Sequence, residues 1–449
     1  MSQDDLLTLL DRVVDRATNG ELVEAYGIDQ TETTVKAYGG DVESLSSAQT
    51  RGVGIRVIVD GGVGYAYTAD TSEAALAETL EEARVNASVA TADPANVLAE
   101  PGDQRNLDGL YDPRFTQVAA DDKVGLALAL EAAATAADEI KGVDSATYGD
   151  SDATVAICST AGVRGAYRRC DAYLGVEVLA ERDGTTTSAY GLDLRRVAED
   201  LDVDAAAREA VERAVRLLGG RKPASAPVPV VLDPYATAAF LGVLAAGLTA
   251  DAVQKGRSLF AGHLGESIAP AHVTLVDDGT LVEGPGAAPW DAEGVPSGRT
   301  PLIEGGVLQG WLHNCHTAAR DATSSTGNAS RSGFKATPGV SPTNLFLQPG
   351  TADRDALLRQ AGTGFYCQQI MGVHSGADPV SGEFSVGAAG VMIRDGAFAE
   401  PVREATIAGT IPQMLSGIVA VGADLRWLPF GGGMGGTTVL IDGMTLAGA

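Results

Sequence analysis

Apolar residues open the chain at helical spacing: Leu6, Leu9, Leu10, Val13 and Val14 follow the acidic start MSQDD, predicting an amphipathic first helix. The period then shortens. Segments 22–27, 32–39 and 44–51 predict short strands, and GVGIRVIVD (52–60) a stronger one that Gly61 and Gly62 turn into a partner strand at 63–68. Helical spacing returns over 73–87 behind Ser72, a natural N-cap, and over 119–137, on either side of a looser stretch holding Pro94, Pro101 and Pro113. Alternation over 144–148, 152–159, 163–179 and 188–192 predicts further strands, with Gly184 turning the last pair, and a helix over 204–218 stops at Gly219 and Gly220.

The run GGRKPASAPVP (219–229) reads as a linker, dividing the chain into domains 1–219 and 220–449. Beyond it, 228–232 reads as a buried strand, and Asp233-Pro234 opens a helix reaching about Ala252. From Val273 onward strands and turns dominate, broken by a helix near 352–361. Pro379 and Gly382 punctuate a turn, 383–388 alternates as a strand, and Arg394-Asp395-Gly396 makes a hairpin turn. The expected fold is α+β in two domains: an N-terminal mixed sheet with helices, and a C-terminal β-rich domain, barrel-like and antiparallel.

Composition sharpens this picture. A chain of 449 residues, 45% hydrophobic and 20% charged, is globular and too long for one ordinary core. Its 59 acidic residues against 32 basic ones give a net charge of -27, which repels a phosphate backbone and excludes unassisted nucleic-acid binding. The acids are spread along the chain. That favours a solubility adaptation to a salty cytoplasm over a field that steers cationic peptides. Cys158, Cys170, Cys315 and Cys367 form no CxxC pair and read as reduced thiols. Without a signal-peptide pattern or a bilayer-length apolar run, a cytoplasmic protein with no membrane contact is expected.

Two clusters offer chemistry. Asp291 and Glu293 could share one face of a strand and raise one another's pKa for general acid work, but in a turn-rich acidic chain they more naturally cap a turn at Gly294. His313, Cys315 and His316 gather soft ligands, and His313 with His316 could meet one metal if a helix starts there, His374 or His272 completing the set. The plainer reading is a solvated or core-satisfied pair. Ser258, Ser385 and Cys367 lack a nucleophile elbow or an adjacent base and read as structural. The glycines at 431–433 and 435–436 lack the Lys-Ser/Thr ending of a phosphate loop.

The order of several segments carries a resemblance. KGRSLFAGHLGESIAPAHVTLVDDGTL (255–281) precedes PWDAEGVPSGRTPLIEGGVLQGWLHNCHTAARD (289–321), STGNASR (325–331), GADPVSGEFSVGAAGVMIRDG (376–396) and EATIAGTIPQMLSGIVAVGADL (404–425). This series resembles the TldD/PmbA family of cytoplasmic metalloproteases. Asp291, Glu293 and Gly294 match its acid-acid-glycine turn, Thr326 and Gly327 its Thr-Gly turn, and Gly382, Phe384 and Ser385 fall in its closing segment, all as chamber or interface positions.

The resemblance also implies an absence. Catalytic subunits of the family carry a His-Glu-x-x-x-His helix and a late Cys for zinc. The corresponding segment FLGVLAAGLTAD (240–251) puts Gly242, Val243 and Gly247 near those positions, and FGGGMGGTTVLIDGMTLAG (430–448) contains no Cys. The chain is therefore similar to the PmbA (TldE) type of subunit: no catalytic residue or metal ligand of its own, zinc in a TldD-like partner, peptides as substrate. The alternatives are a stand-alone homodimeric binding or scaffold protein, and an autonomous hydrolase using Asp291, Glu293 or the His313 cluster.

Overall fold

Ser2 starts the chain's first helix by local chemistry alone. Its hydroxyl accepts from Asp5 N at 3.1 Å, and the Asp5 carboxylate reaches back to Ser2 N, a capping box worth about 1 kcal/mol. The computed structural model describes residues 1–103, 106–428 and 433–448. Helix α1 (Gln3–Val14) buries Leu6, Leu7, Leu9, Leu10 and Val13.

Strands β1 (Leu22–Tyr38), β2 (Asp41–Val59) and β3 (Gly62–Thr68) follow, then α2 (Glu73–Val89), α3 (Ala120–Thr135), β4 (Ile140–Ser159), β5 (Arg164–Arg182), β6 (Thr185–Arg195) and α4 (Val203–Arg216). The six strands form one antiparallel sheet in the order β3-β2-β1-β4-β5-β6. Ser72 caps α2 as the sequence predicts, while the turn expected at Gly61 and Gly62 falls one residue earlier, at Asp60-Gly61, both at positive φ, because Gly62 already pairs with Val59 as the start of β3. The short strands expected at 22–27, 32–39, 44–51 and 52–60 are corrected to two long ones, paired from Leu22↔Ile58 to Tyr38↔Asp41. The polar stretch between the apolar runs stays in the ladder because β4 pairs β1 along the same length.

Side-chain alternation gives this sheet two jobs. Val23, Ala25, Val35 and Ala37 of β1 point to one face and pack beneath the helices. Glu24, Tyr26 and Ile28 point to the other, where Tyr26 and Ile28 join Val155, Ile157, Trp290, Cys315 and Phe334 in a cluster drawn from both halves of the chain.

The C-terminal half runs β7 (Ala226–Leu232), α5 (Pro234–Gly247), α6 (Ala250–Gln254), β8 (Leu275–Asp278), β9 (Arg299–Glu304), β10 (Val307–Leu308), α7 (Cys315–Arg320), β11 (Ala329–Ser330), β12 (Gly339–Val340), β13 (Leu345–Leu347), α8 (Arg354–Ala361) and β14 (Gly364–Met371). It ends with α9 (Val373–Gly376), β15 (Glu383–Arg394), β16 (Ala397–Thr410), α10 (Ile411–Ser416), β17 (Ile418–Val421), β18 (Arg426–Trp427), β19 (Met434–Gly436) and β20 (Val439–Gly448). The sheet β16-β15-β14-β7-β20-β17 closes through β16–β20 pairing into the expected barrel, with β7–β14 its parallel pair. A second sheet, β10-β9-β8-β13-β19-β18, lies beside it. Helix α5 packs against both, with Phe240 edge-on to Phe384 at 6.0 Å.

Three further expectations change. The linker ends early, because Ala226 onward pairs with β20 as β7. The helix expected to Ala252 breaks after Gly247: Leu312 N donates to Leu248 O and Ala250 N to Leu312 O, so a crossing strand captures the helix end and Thr249 caps α6. Helices α7 and α10 are short capped turns with too few residues for a periodic signal. Among the described residues, no helix is long and apolar enough to cross a membrane.

Candidate functional site at the meeting of sheet and barrel half

Asp291 and Glu293 lie in a tight turn rather than on a strand, and each does a different task. Asp291 Oδ1 accepts from Glu293 N at 2.9 Å and Val295 N at 3.0 Å, and its Oδ2 accepts from Ala329 N at 2.8 Å. Burial, reinforced by the charge of Glu293 and opposed by those three amides, pushes the Asp291 carboxyl up to about 7. Gly294 holds φ at +86°, and a Cβ there would stand 2.3 Å from Cγ1 of Val163, in the turn that leads into β5. Only glycine fits that approach.

Glu293 crosses to the sheet. Its Oε1 accepts from Arg56 Nη1 at 2.8 Å and its Oε2 from Cys315 N at 2.8 Å. Arg56 Nη2 donates to Glu24 Oε2 at 2.6 Å, and Glu24 Oε1 accepts from Arg331 Nη2. Arg331 Nε donates to Ala292 O at 3.1 Å, and its guanidinium lies 4.9 Å from the Tyr26 ring centre. Arg331, Glu24, Arg56 and Glu293 therefore form one buried chain of alternating charge between the halves; Glu24 and Glu293 are each 1% exposed. Desolvation pulls the Arg56 guanidinium down, yet Glu24 and Glu293 outweigh it and hold its pKa above the ordinary value. Glu24 and Arg56 sit directly opposite across β1 and β2.

The Thr326-Gly327 turn abuts this one. Thr326 Oγ1 accepts from His313 N at 2.8 Å and donates to Asn328 Oδ1 at 2.7 Å. Asn328 Nδ2 donates to Asp277 Oδ2 at 2.6 Å, while Thr343 N donates to Asp277 Oδ1 at 2.8 Å. Burial lifts Asp277 to about 6 against those hydrogen bonds. Gly327, at φ +75°, would place a Cβ 2.7 Å from Pro296 O.

The His313 cluster is dispersed by the N-terminus of α7. His313 is buried with Nδ1 unpartnered among the described residues, and burial lowers its proton affinity. His316 Nε2 turns instead to Asp93 Oδ2 at 3.2 Å, which Arg320 also reaches at 2.6 Å. Cys315 packs beside Glu293, and burial raises its thiol pKa first, with the Glu293 and Asp291 charges adding to it. His272 and His374 are exposed elsewhere. Among the described residues, no three His, Cys, Asp or Glu side chains stand where they could hold a metal ion. Gly382, Phe384 and Ser385 belong to the barrel: Gly382 O accepts from Ile411 N, Phe384 packs on Phe240, and Ser385 is exposed opposite Ala408. Residues 429–432, part of the glycine run, lie outside the described residues.

Beside the acid turn a cavity of about 440 Å³ opens between the halves, lined by Tyr26, Tyr167, Trp290, Asp291, Arg331 and Ser297 among others. Ser297 Oγ is buried there without a partner among the described residues. Sequence reading missed Glu24, Arg56, Arg331 and Asp277. Two of them left a signal, since Glu24 and Arg56 are charged residues inside apolar strand runs.

A zinc ion does not fit the segment where the resemblance places its helix. Phe240, Leu241 and Leu244 are core residues, Gly242 and Val243 offer no ligand atom, and a Cβ on Gly247 would meet the Phe260 ring at 3.3 Å. Asp251, at its end, is paired with Lys255 at 2.8 Å.

A long helix-backed sheet bolted by buried charges to a barrel half defines a two-part α+β scaffold. Models of the PmbA/TldA metallopeptidase domains match in chain order: domain 1 over residues 23–87, the central domain over 113–218 and the C-terminal domain over 225–448. The chain belongs to the TldD/PmbA metallopeptidase family. A protein of Methanothermobacter thermautotrophicus named metalloprotease is 30% identical over 396 residues, covering 86% of this chain and 85% of its own. A Thermotoga maritima crystal structure, described as a candidate modulator of a DNA gyrase, matches with a TM-score of 0.89 at 27% identity, over 99% of both chains. TldE from Thermococcus kodakarensis shares the fold, with a TM-score of 0.87 at 22% identity over 99% of both. Relatives named PmbA and relatives named TldD are both similar to this chain.

Proposed function

We propose that this chain is the non-catalytic subunit of a TldD/TldE-type heterodimeric zinc metalloprotease in the cytoplasm. It docks a zinc-bearing TldD-like subunit and walls a chamber in which unfolded or small peptides are cut. The observation that carries the reading is the chemistry of α5, PYATAAFLGVLAAG, which contains no His, Glu, Asp or Cys where a catalytic subunit needs two imidazoles and a base. Support also comes from similarity to proteins named metalloprotease and to relatives bearing both subunit names. In this reading the partner supplies zinc, base and activated water. Asp291 and Glu293 act by fixing the barrel half to the sheet, since their oxygens are occupied by backbone amides and Arg56.

The test is zinc content and peptide cleavage by the purified chain, alone and mixed with a TldD-like subunit from the same cell. Zinc and cleavage in the mixture, with neither in this chain alone, is the expected result. Stoichiometric zinc and cleavage by this chain alone overturns the proposal. A chain that stays self-associated and ignores the offered subunit favours the homodimeric scaffold instead.

A further inference from the structure

A second pocket, of about 440 Å³, lies where α4 meets the start of α5, β14 and α8. Five arginines line it, Arg208 among them, and the other four stand over two aromatic rings. Arg213 and Arg426 stand 4.3 and 5.1 Å from the Tyr235 ring centre, and Arg216 and Arg354 stand 5.0 and 5.4 Å from that of Phe398.

The first pair is neutralised. Arg213 Nη1 lies 2.6 Å from Asp233 Oδ2, and Arg426 Nη2 donates to Glu209 Oε2 at 3.2 Å. In the second pair Arg216 is not. Arg216 Nη1 donates to the neutral amide oxygen of Gln368 at 2.6 Å, and among the described residues no carboxylate pairs with it. Arg354 reaches Asp355, its exposed neighbour in sequence, at 3.2 Å. Arg213 Nε is buried without a partner among the described residues.

Nearby acids are already spent. Asp233 takes Tyr235 N and Tyr366 Oη besides Arg213, and Asp424 takes Thr437 and Thr438. Glu212 remains, exposed at the rim. Burial lowers the proton affinity of Arg216, and the charges of Arg354 and Arg213 lower it further against the pull of Tyr366 and Asp233. Arg216, half-buried over the same ring as Arg354 and inside a chain of net charge -27, has no carboxylate partner among the described residues.

We propose that this pocket binds a phosphate group, gripped between Arg216 and Arg354. A phosphate offers three or more acceptor oxygens and serves two guanidinium forks at once, whereas one fork exhausts a carboxylate. The proposal is independent of the protease-subunit reading. The source is either free phosphate or a phosphate ester.

The experiment is calorimetric titration of the full chain in low-salt chloride buffer with inorganic phosphate, phenyl phosphate and acetate. Saturable phosphate binding is expected, weakened at least tenfold by Arg216→Gln and by Arg354→Gln, and unchanged by Arg182→Gln in the distant β5–β6 turn. Tighter binding of phenyl phosphate assigns an ester, and equal binding assigns free phosphate. Should Arg216→Gln fail to fold by circular dichroism, the half-buried Arg354→Gln decides alone. No saturable phosphate binding, acetate binding as tight as phosphate, or variants that bind like the parent overturn the proposal.

Discussion

Arg56→Met is the sharpest test of how the two halves are held together. Arg56 is 6% exposed and is the cation between Glu24 and Glu293, at 2.6 and 2.8 Å. Methionine keeps much of the side-chain volume and removes the charge. Glu24 retains Arg331, but Glu293 keeps only the Cys315 amide, so one buried carboxylate loses its counter-charge. Removing one partner of a buried pair costs about 3–5 kcal/mol, because the remaining charge stays desolvated. Adding Glu293→Gln removes that charge too, and the double variant should recover about half of the loss. Urea unfolding followed by tryptophan fluorescence measures this directly, since Trp290 packs in the same interface, 4.9 Å from the Tyr167 ring. A loss under about 1 kcal/mol, the level of an exposed pair, would refute the argument that the network is closed to water.

Two more outcomes follow from the same turn. Asp291, raised from 3.8 to about 7, holds a proton in the folded state across that window while the unfolded chain releases it. Stability should therefore fall as pH rises from 3.8 to 7, by up to about 4 kcal/mol at ~1.4 kcal/mol per pH unit. Asp291→Asn should flatten that slope in urea titrations, and because buried His313 works in the opposite sense, the difference between parent and variant is the quantity to read. An unchanged slope sinks the assignment. Gly294→Ala should cost at least about 2 kcal/mol, from the left-handed backbone and the Val163 contact together, and a thermally neutral variant would contradict the close packing.

The acid turn shows where sequence reading stops. Asp291 and Glu293 were visible as a pair, and Gly294 as their turn glycine, because Asx-type turns are written in neighbouring residues. Glu293's partner was not visible, since Arg56 lies 237 positions away and no local pattern encodes that distance. The soft-ligand group at 313–316 looked coherent in one dimension. In three, Thr326 holds the His313 backbone ahead of α7 while the first turn of that helix sends the His316 ring to Asp93, and the group comes apart.

What the sequence determined by itself is what neighbouring residues decide. That covers the cap of α2, the Asp395-Gly396 turn, the alternation that gives β1 two faces, and the order of motifs that marks the family. Only the tertiary structure decided that predicted strand fragments fuse into β1 and β2, that Leu312 breaks the helix after Gly247, and that β16 finds β20 to close the barrel. It also joined Arg331, Glu24, Arg56 and Glu293 into one chain of charge. The physical reason is common to all four. Backbone ladders and buried charges are satisfied by whichever partner the fold brings near, and that partner is set by packing across the whole chain rather than by the residues alongside.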